Sequence, residues 1–580
     1  LLQKIKAIKP ASNNPSLTEI FFPGLVIHTY LILLLKCIGL PWLYTSLITI
    51  IFSITPLSYT LETLNRLRLQ RFSLNFALWF FIVLALGISV LDTTKAFETY
   101  WVNAYGDQAF HMGMISSFTF GENFPPQNHL LPGELLSYPF LVNVWAASLW
   151  WPNPNLKTLS FVFLFQWLCI WIPVYFLFKG NKITLLPWVI LFAGGSLAHL
   201  GQHSAKGIAQ SYPWSVFLTT IWVPQRSALF GLLGISTLIS AFHRYQLDPS
   251  KEFYLLWCGL LAALMPLVHT HMLLVSAAYI GLVIVFVFHK KCLRPLVIFV
   301  APALFSLHAL YWLLGKESIF SFAVGWYPWT NSTDLLSRLA GSIKMWIFNG
   351  GHVLIVVIAL LISGYFQKKS AALKNQESIT ANLCAISTLF ILGNFFIIAI
   401  WEWDQIKIFA SIFLQLILLY AHAYETPDRL RLHLLLLILM IPAFAEMSLI
   451  LRENRSYTVY SQDDWSKAQE IVKETDPSAI ILGSPDHNSL ITLTGRRIFL
   501  GFPGTLHSHG SKYQDREIIL TSLTQAVNCS LQFAFKERKE LCPTHLLWAH
   551  NEIKKWGVID KKSALRLEPT NLSYLYRIKD

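Results

Sequence analysis

Apolar runs about as long as a membrane-crossing helix recur along the first three quarters of this chain, separated by shorter polar stretches. They lie near residues 20–38, 40–58, 73–92, 156–178, 183–199, 225–243, 253–268, 271–288, 295–314, 345–365, 380–400, 406–424 and 431–450. A helix of that length satisfies its own backbone hydrogen bonds across the hydrocarbon, where each unpaired amide costs several kcal/mol. The pattern therefore predicts a mainly α, polytopic transmembrane helical bundle of about 13 spans. The shorter run 138–151 is read as a helix at the outer surface, since counting it as a crossing would invert every later loop.

Beyond about residue 452 charges become frequent and no run is long enough to span. Asp463 is expected to cap a helix with Trp465, Ala468, Ile471 and Val472 on one face. Strands are expected over 479–482, 497–502 and 545–548, around Leu565 and over 574–578, with a helix between 512 and 527. The chain thus divides into a transmembrane part, 1–451, with its first outer loop at 93–155, and a small C-terminal α/β domain, 452–580.

Composition agrees: 54% of residues are hydrophobic and only 13% charged, which rules out a single soluble globule. The net charge of +13 is explained by topology rather than by nucleic acid. With the N-terminus in the cytoplasm, the short inner turns carry the cations, including Lys4, Lys6, Lys9, Arg66, Arg68, Arg71, Lys290, Lys291, Arg294, Lys368 and Lys369. The long polar segments 93–155, 200–224, 315–344 and 452–580 then share the extracytoplasmic side, and loops of that length are usually functional. Lys4–Pro15 is polar and the first apolar run lacks a small-residue cleavage site, so that run is expected to stay as an anchor. Seven cysteines are too few for a disulfide scaffold; Cys529 and Cys542 are either bonded or two thiols.

The first outer loop carries the clearest chemistry. Asp107 and His111 are four apart, one helical turn, which puts a carboxylate and an imidazole on one face. Such a pair is a base with an orienting partner, two metal ligands, or a plain helix-stabilising ion pair. Arg226, Asp404 and Lys407 stand at outer span ends, where a cation can hold a phosphate or simply anchor a helix. His269 and His271 are two apart and do not share a helical face, against a paired zinc site. Glu122 and Glu134 are candidate second acids for a divalent metal, and His507 and His509 sit in a Gly- and Ser-rich loop that either reaches over the active site or, the preferred reading, is solvated. No Walker loop, Gly-x-Gly-x-x-Gly, His-Glu-x-x-His or Gly-x-Ser-x-Gly sequence is present.

An N-terminal span, a long outer loop opening with Gly106-Asp107-x-x-x-His111, the Pro125-Pro126 turn and the apolar run Tyr138–Trp151 together resemble the GT-C superfamily of polytopic glycosyltransferases. Protein O-mannosyltransferases and bacterial aminoarabinose transferases belong to it. Further stretches resemble a bacterial branch: Val223-Pro224-Gln225-Arg226, Pro266 to His271, Trp346 to Gly350, Trp403 to Lys407, Leu493 to Arg497 and His507 to Gly510. The resemblance implies a cell-envelope enzyme of the bacterial inner membrane. It would transfer a sugar from a polyprenyl-phosphate donor to an extracytoplasmic acceptor (glycan, lipid or protein), with Asp107 matching the characteristic acid. Gln108 stands where many relatives have a second acid, which leaves metal dependence open. In that chemistry Asp107, with His111, would deprotonate the acceptor, and Arg226, Lys407, Asp404, His269 and His271 would line the donor phosphate. A transporter or flippase of lipid-linked sugars is the rival reading; it favours internal repeats and midplane ionisable groups, and no repeat is evident.

Overall fold

The structure, a computed structural model, describes residues 17–50, 74–90, 92, 97–179, 185–195, 200–201, 216–313, 321–322, 324, 334–347, 376–398, 402–423, 429–524, 541–557 and 567–578. The expected span 345–365 and Cys529 fall largely or wholly outside these residues.

The bundle contains α1 (Leu17–Cys37) and α2 (Leu74–Val90), then, after β1 (Phe97–Thr99), α3 (Val102–Thr119) and α4 (Leu141–Trp150) within the segment 93–155. It continues with α5 (Leu156–Lys179), α6 (Arg226–Leu247), α7 (Glu252–Leu264), α8 (Thr270–Phe288), α9 (Leu293–Ala303), α10 (Gln376–Phe395), α11 (Ile406–Ala423) and α12 (Arg429–Glu453). Among the described residues five helices are long and apolar enough to cross a membrane: Glu19–Cys37, Leu156–Leu177, Arg226–Leu247, Thr270–Lys291 and Ser378–Phe395. Four of them leave much of their apolar surface uncovered by protein, and Leu34, Phe161, Leu274 and Ile391 point outward. Water would penalise that surface, whereas lipid accommodates it. The chain is an integral membrane protein.

Helix α6 is the exception, buried from Arg226 to His243 and surrounded by α1, α5, α7, α8 and α11. Close approach is possible because Gly231 has no side chain: a Cβ there would lie 2.7 Å from the His269 Cβ and the Met272 Sδ. Helix α4 differs from expectation. Its residues are almost all buried, between α1, α3 and α5, and the Leu141 amide donates to the Leu267 carbonyl at 3.1 Å. An all-round apolar helix has no polar face to offer headgroups, so it packs inward rather than lying at the surface.

After α12 the chain forms β2 (Tyr457–Tyr460), α13 (Gln462–Glu474), β3 (Ile480–Leu482), α14 (Ile491–Thr494), β4 (Arg497–Ile498), α15 (Pro503–Ser508), α16 (Gln514–Thr524), β5 (His545–Leu547), α17 (His550–Trp556), β6 (Leu567–Pro569) and β7 (Leu575–Ile578). A mixed sheet runs in the order β4-β3-β5-β7-β6, parallel on the β4 side and antiparallel at β7 and β6. Helix α13 buries Trp465, Ala468 and Ile471 as their spacing suggests. Its cap is Ser461 rather than Asp463: the Asp464 amide donates to Ser461 Oγ at 3.0 Å and Asp464 Oδ2 accepts from the Ser461 amide at 2.8 Å. This reciprocal box satisfies two amides that Asp463, already in the first turn, cannot reach.

The segment 97–150 and this C-terminal segment are built into each other. Strand β1 pairs antiparallel with β2, Phe97 opposite Tyr460. The amides of Ile498 and Gly501 donate to the carbonyls of His129 and Leu130, each at 2.8 Å. Pairing of 97–99 with 457–460 puts both segments on the same side of any membrane. Gly495 closes the joint: with φ +68° it ends α14, and a Cβ on it would sit 2.2 Å from the Ser116 carbonyl of α3. Gly495→Ala is therefore expected to destabilise the fold by about 2 kcal/mol or more, read as a lowered melting temperature of the purified protein.

Candidate functional site

Asp107 lies in the second turn of α3, and the helix does place His111 one turn further along. The two do not form an ion pair. His111 is buried and its Nδ1 donates to Asn143 Oδ1 of α4 at 3.1 Å, a role assigned from the partner's acceptor oxygen. Burial, with Arg226 nearby, holds its pKa well below the ordinary histidine value, so the ring is neutral. Asn143 was not singled out in the sequence, although a polar amide inside an otherwise apolar run is a readable signal.

The Asp107 carboxyl is half-buried and makes no hydrogen bond or ion pair with the described residues. Protein encloses it on most sides, and burial raises its pKa to about 7, with Lys407 opposing the shift and Asp404 adding to it. Lys407 is in the first turn of α11, where the helix dipole disfavours a cation. Asp404 in the preceding turn compensates, its Oδ1 lying 2.9 Å from Lys407 Nζ. Burial is the largest single influence and works against a charged Asp404, but Lys407, His271 and His509 together outweigh it and keep this carboxyl below its ordinary value. The buried Gln405 locks the turn, its Nε2 donating to the Gly393 carbonyl at 2.9 Å and its Oε1 accepting from the Ile398 amide at 3.3 Å.

Lys407 is the electrostatic hub: its field reaches Asp107, Asp404, His111, His269, His271 and His509. His271 is half-buried, its Nε2 has no partner among the described residues, and its ring centre is 5.8 Å from that of His269. His269 serves the backbone: its Nδ1 accepts from the Met272 amide at 3.2 Å and caps α8. His509, at the end of α15, is not a solvated loop residue. Its ring packs 4.6 Å from Phe110 and 5.1 Å from Tyr138, and burial lowers its pKa to about 4. His507 is exposed, as expected. Tyr138, which the sequence reading did not place in the site, shares a 2.9 Å hydrogen bond with Ser227 beside Arg226.

Arg226 is at the first residue of α6 but its guanidinium is engaged elsewhere. It donates to Gln166 and lies 3.3 Å over the Phe163 ring centre, both on α5. The crevice beside it is lined by Gln166, Phe163, Trp167 and Trp222, and Asp107 is not among its lining residues. Glu122 faces Lys36 rather than Asp107, and Glu134 closes a turn with Asn128. Around Asp107 the donor set does not suit a divalent ion. Asp404 is taken by an ammonium that repels cations, and among the described residues no three His, Cys, Asp or Glu side chains are grouped to hold a metal.

No protein-family model matches the chain and no curated protein matches it in sequence. Among solved structures it is distantly similar to the archaeal oligosaccharyltransferase AglB from Archaeoglobus fulgidus in complex with an inhibitory peptide and a dolichol-phosphate, at 10% identity and a TM-score of 0.39 over 82% of this chain and 70% of that one. It is similar at the same identity and score to the Archaeoglobus fulgidus oligosaccharyltransferase tethered to an acceptor peptide containing the NVT sequon, over 82% of this chain and 68% of that one.

Proposed function

We propose that this protein is a membrane glycosyltransferase of the GT-C kind. It moves a sugar from a polyprenyl-phosphate donor to an acceptor on the extracytoplasmic side, with Asp107 as general base. The observation that carries the reading is the unpaired, half-accessible Asp107 carboxyl with its pKa near 7, beside Lys407 at a span end. A base with that pKa is matched to neutral conditions. Asp107 takes the proton from the acceptor hydroxyl, and the hydroxyl oxygen bonds to the anomeric carbon from the face opposite the phosphate. The bond from that carbon to the phosphate oxygen breaks with its electron pair on the phosphate, and Lys407 stabilises the charge that collects there. Inversion at the anomeric carbon follows from the single displacement.

The test is transfer of a labelled sugar from a defined polyprenyl-phosphate sugar by the purified protein in proteoliposomes, measured alongside movement of the donor between leaflets. Acceptor glycosylation supports the reading; leaflet movement without transfer would replace it with a flippase. The rate should also rise with pH through about 7, because only the ionised carboxylate accepts a proton. Asp404→Asn removes a charge that raises Asp107, so the midpoint of that profile should move to lower pH; an unmoved midpoint assigns the titration to another group.

A further inference from the structure

A second polar crevice lies where α12 leaves the bundle, and we propose that it binds the amine-and-phosphate headgroup of a membrane lipid. One wall is formed by Trp101 and Asn103 at the start of α3, the other by Glu446, Ile450, Glu453, Arg455 and Tyr457. Glu446 is 3% exposed; its carboxyl is hydrogen-bonded with the Thr219 side chain and the Val216 backbone, and its Oε2 has no partner among the described residues. A carboxylate two helical turns inside the end of an apolar helix is expensive unless a cation meets it. At the mouth Arg455 is exposed and makes no hydrogen bond or ion pair with the described residues.

The ligand chemistry follows from this order. A buried carboxyl oxygen left without a partner at depth calls for an ammonium, the guanidinium at the mouth calls for a phosphate, and the aromatic residues Trp101 and Tyr457 line the same crevice. The crevice is narrow, suited to a –CH2–NH3+ group rather than a sugar ring. The bilayer is the source of the occupant: on the same helix Phe444 and Leu451 are exposed, flanking the stripe that carries Glu446 and Ile450. The site is one helical turn before Asp107 on α3 and does not depend on the transfer reading.

The experiment is native mass spectrometry of the full-length protein in detergent, incubated with phosphatidylethanolamine, phosphatidylcholine or phosphatidylglycerol of identical acyl chains. Phosphatidylethanolamine should be retained about tenfold better than either, the worth of one charge-assisted hydrogen bond. Glu446→Gln should abolish that preference, and Arg455→Gln should weaken retention while leaving the preference for the amine. Equal retention of the three lipids, or a preference untouched by Glu446→Gln, overturns the proposal. Should that variant fail to fold, stepwise N-methylation of the lipid on the unmodified protein gives the same answer: retention must fall with each methyl, and a flat series refutes the site. Soluble phosphoethanolamine binding as tightly as the lipid would overturn the membrane origin.

Discussion

Asp107→Asn is expected to lower kcat/KM for sugar transfer by about 10²- to 10⁴-fold, the range a positioned general base contributes. The amide keeps the size of the side chain but has no lone pair basic enough to take a hydroxyl proton. Because Asp107 makes no hydrogen bond or ion pair with the described residues, its replacement breaks no structural contact there. The melting temperature should hold or rise slightly, since a carboxyl whose pKa is raised by burial is destabilising in its charged form. Loss of activity with an unchanged melting curve separates a chemical role from a structural one. Transfer undiminished in this variant removes Asp107 from the mechanism.

Arg496→Ala is expected to have the largest effect on stability, about 3–5 kcal/mol, measured as a drop in melting temperature together with faster proteolysis of the C-terminal segment. The side chain is 2% exposed and is held by the backbone. Its Nη1 donates to the Phe120 carbonyl at 2.7 Å, its Nη2 to the carbonyls of Val472 and Thr475 at 2.8 and 2.7 Å, and its Nε to Thr475 Oγ1 at 2.9 Å. Burial lowers its pKa only to about 10, so it remains a cation at neutral pH. Alanine leaves these acceptors without their donor, and lysine cannot reproduce the planar fork that reaches α3 and α13 at once. Since Phe120 caps the Asp107 helix, transfer should fall in step with stability.

The sequence made parts of this arrangement legible for identifiable reasons. Helical spacing placed Asp107 and His111 on α3, and the charge asymmetry of the loops put Asp107, Asp404 and Lys407 on one side. Period and composition located α13, β3, β5 and β7 in the C-terminal segment. What stayed hidden depends on partners that carry no signal of their own. Arg496 binds carbonyls, which every residue has, so the interlocking of the α3 segment with the C-terminal segment could not be read. His509 looked solvated because Gly and Ser surround it in the chain, yet the aromatic rings that receive it, Phe110 and Tyr138, are hundreds of residues earlier. Arg226 stood at headgroup depth in the sequence, but Gln166 and Phe163 on a neighbouring helix hold its guanidinium; the polar residue within that apolar span was the available clue.

The most direct measurement is a structure of the purified protein with a non-hydrolysable polyprenyl-phosphate sugar analogue. The account predicts the phosphate against Lys407 Nζ, the anomeric carbon within reach of the Asp107 carboxyl and the polyprenyl tail leaving between helices into lipid. An analogue seated away from both residues, with the Asp107 carboxyl facing no part of the sugar, would contradict it.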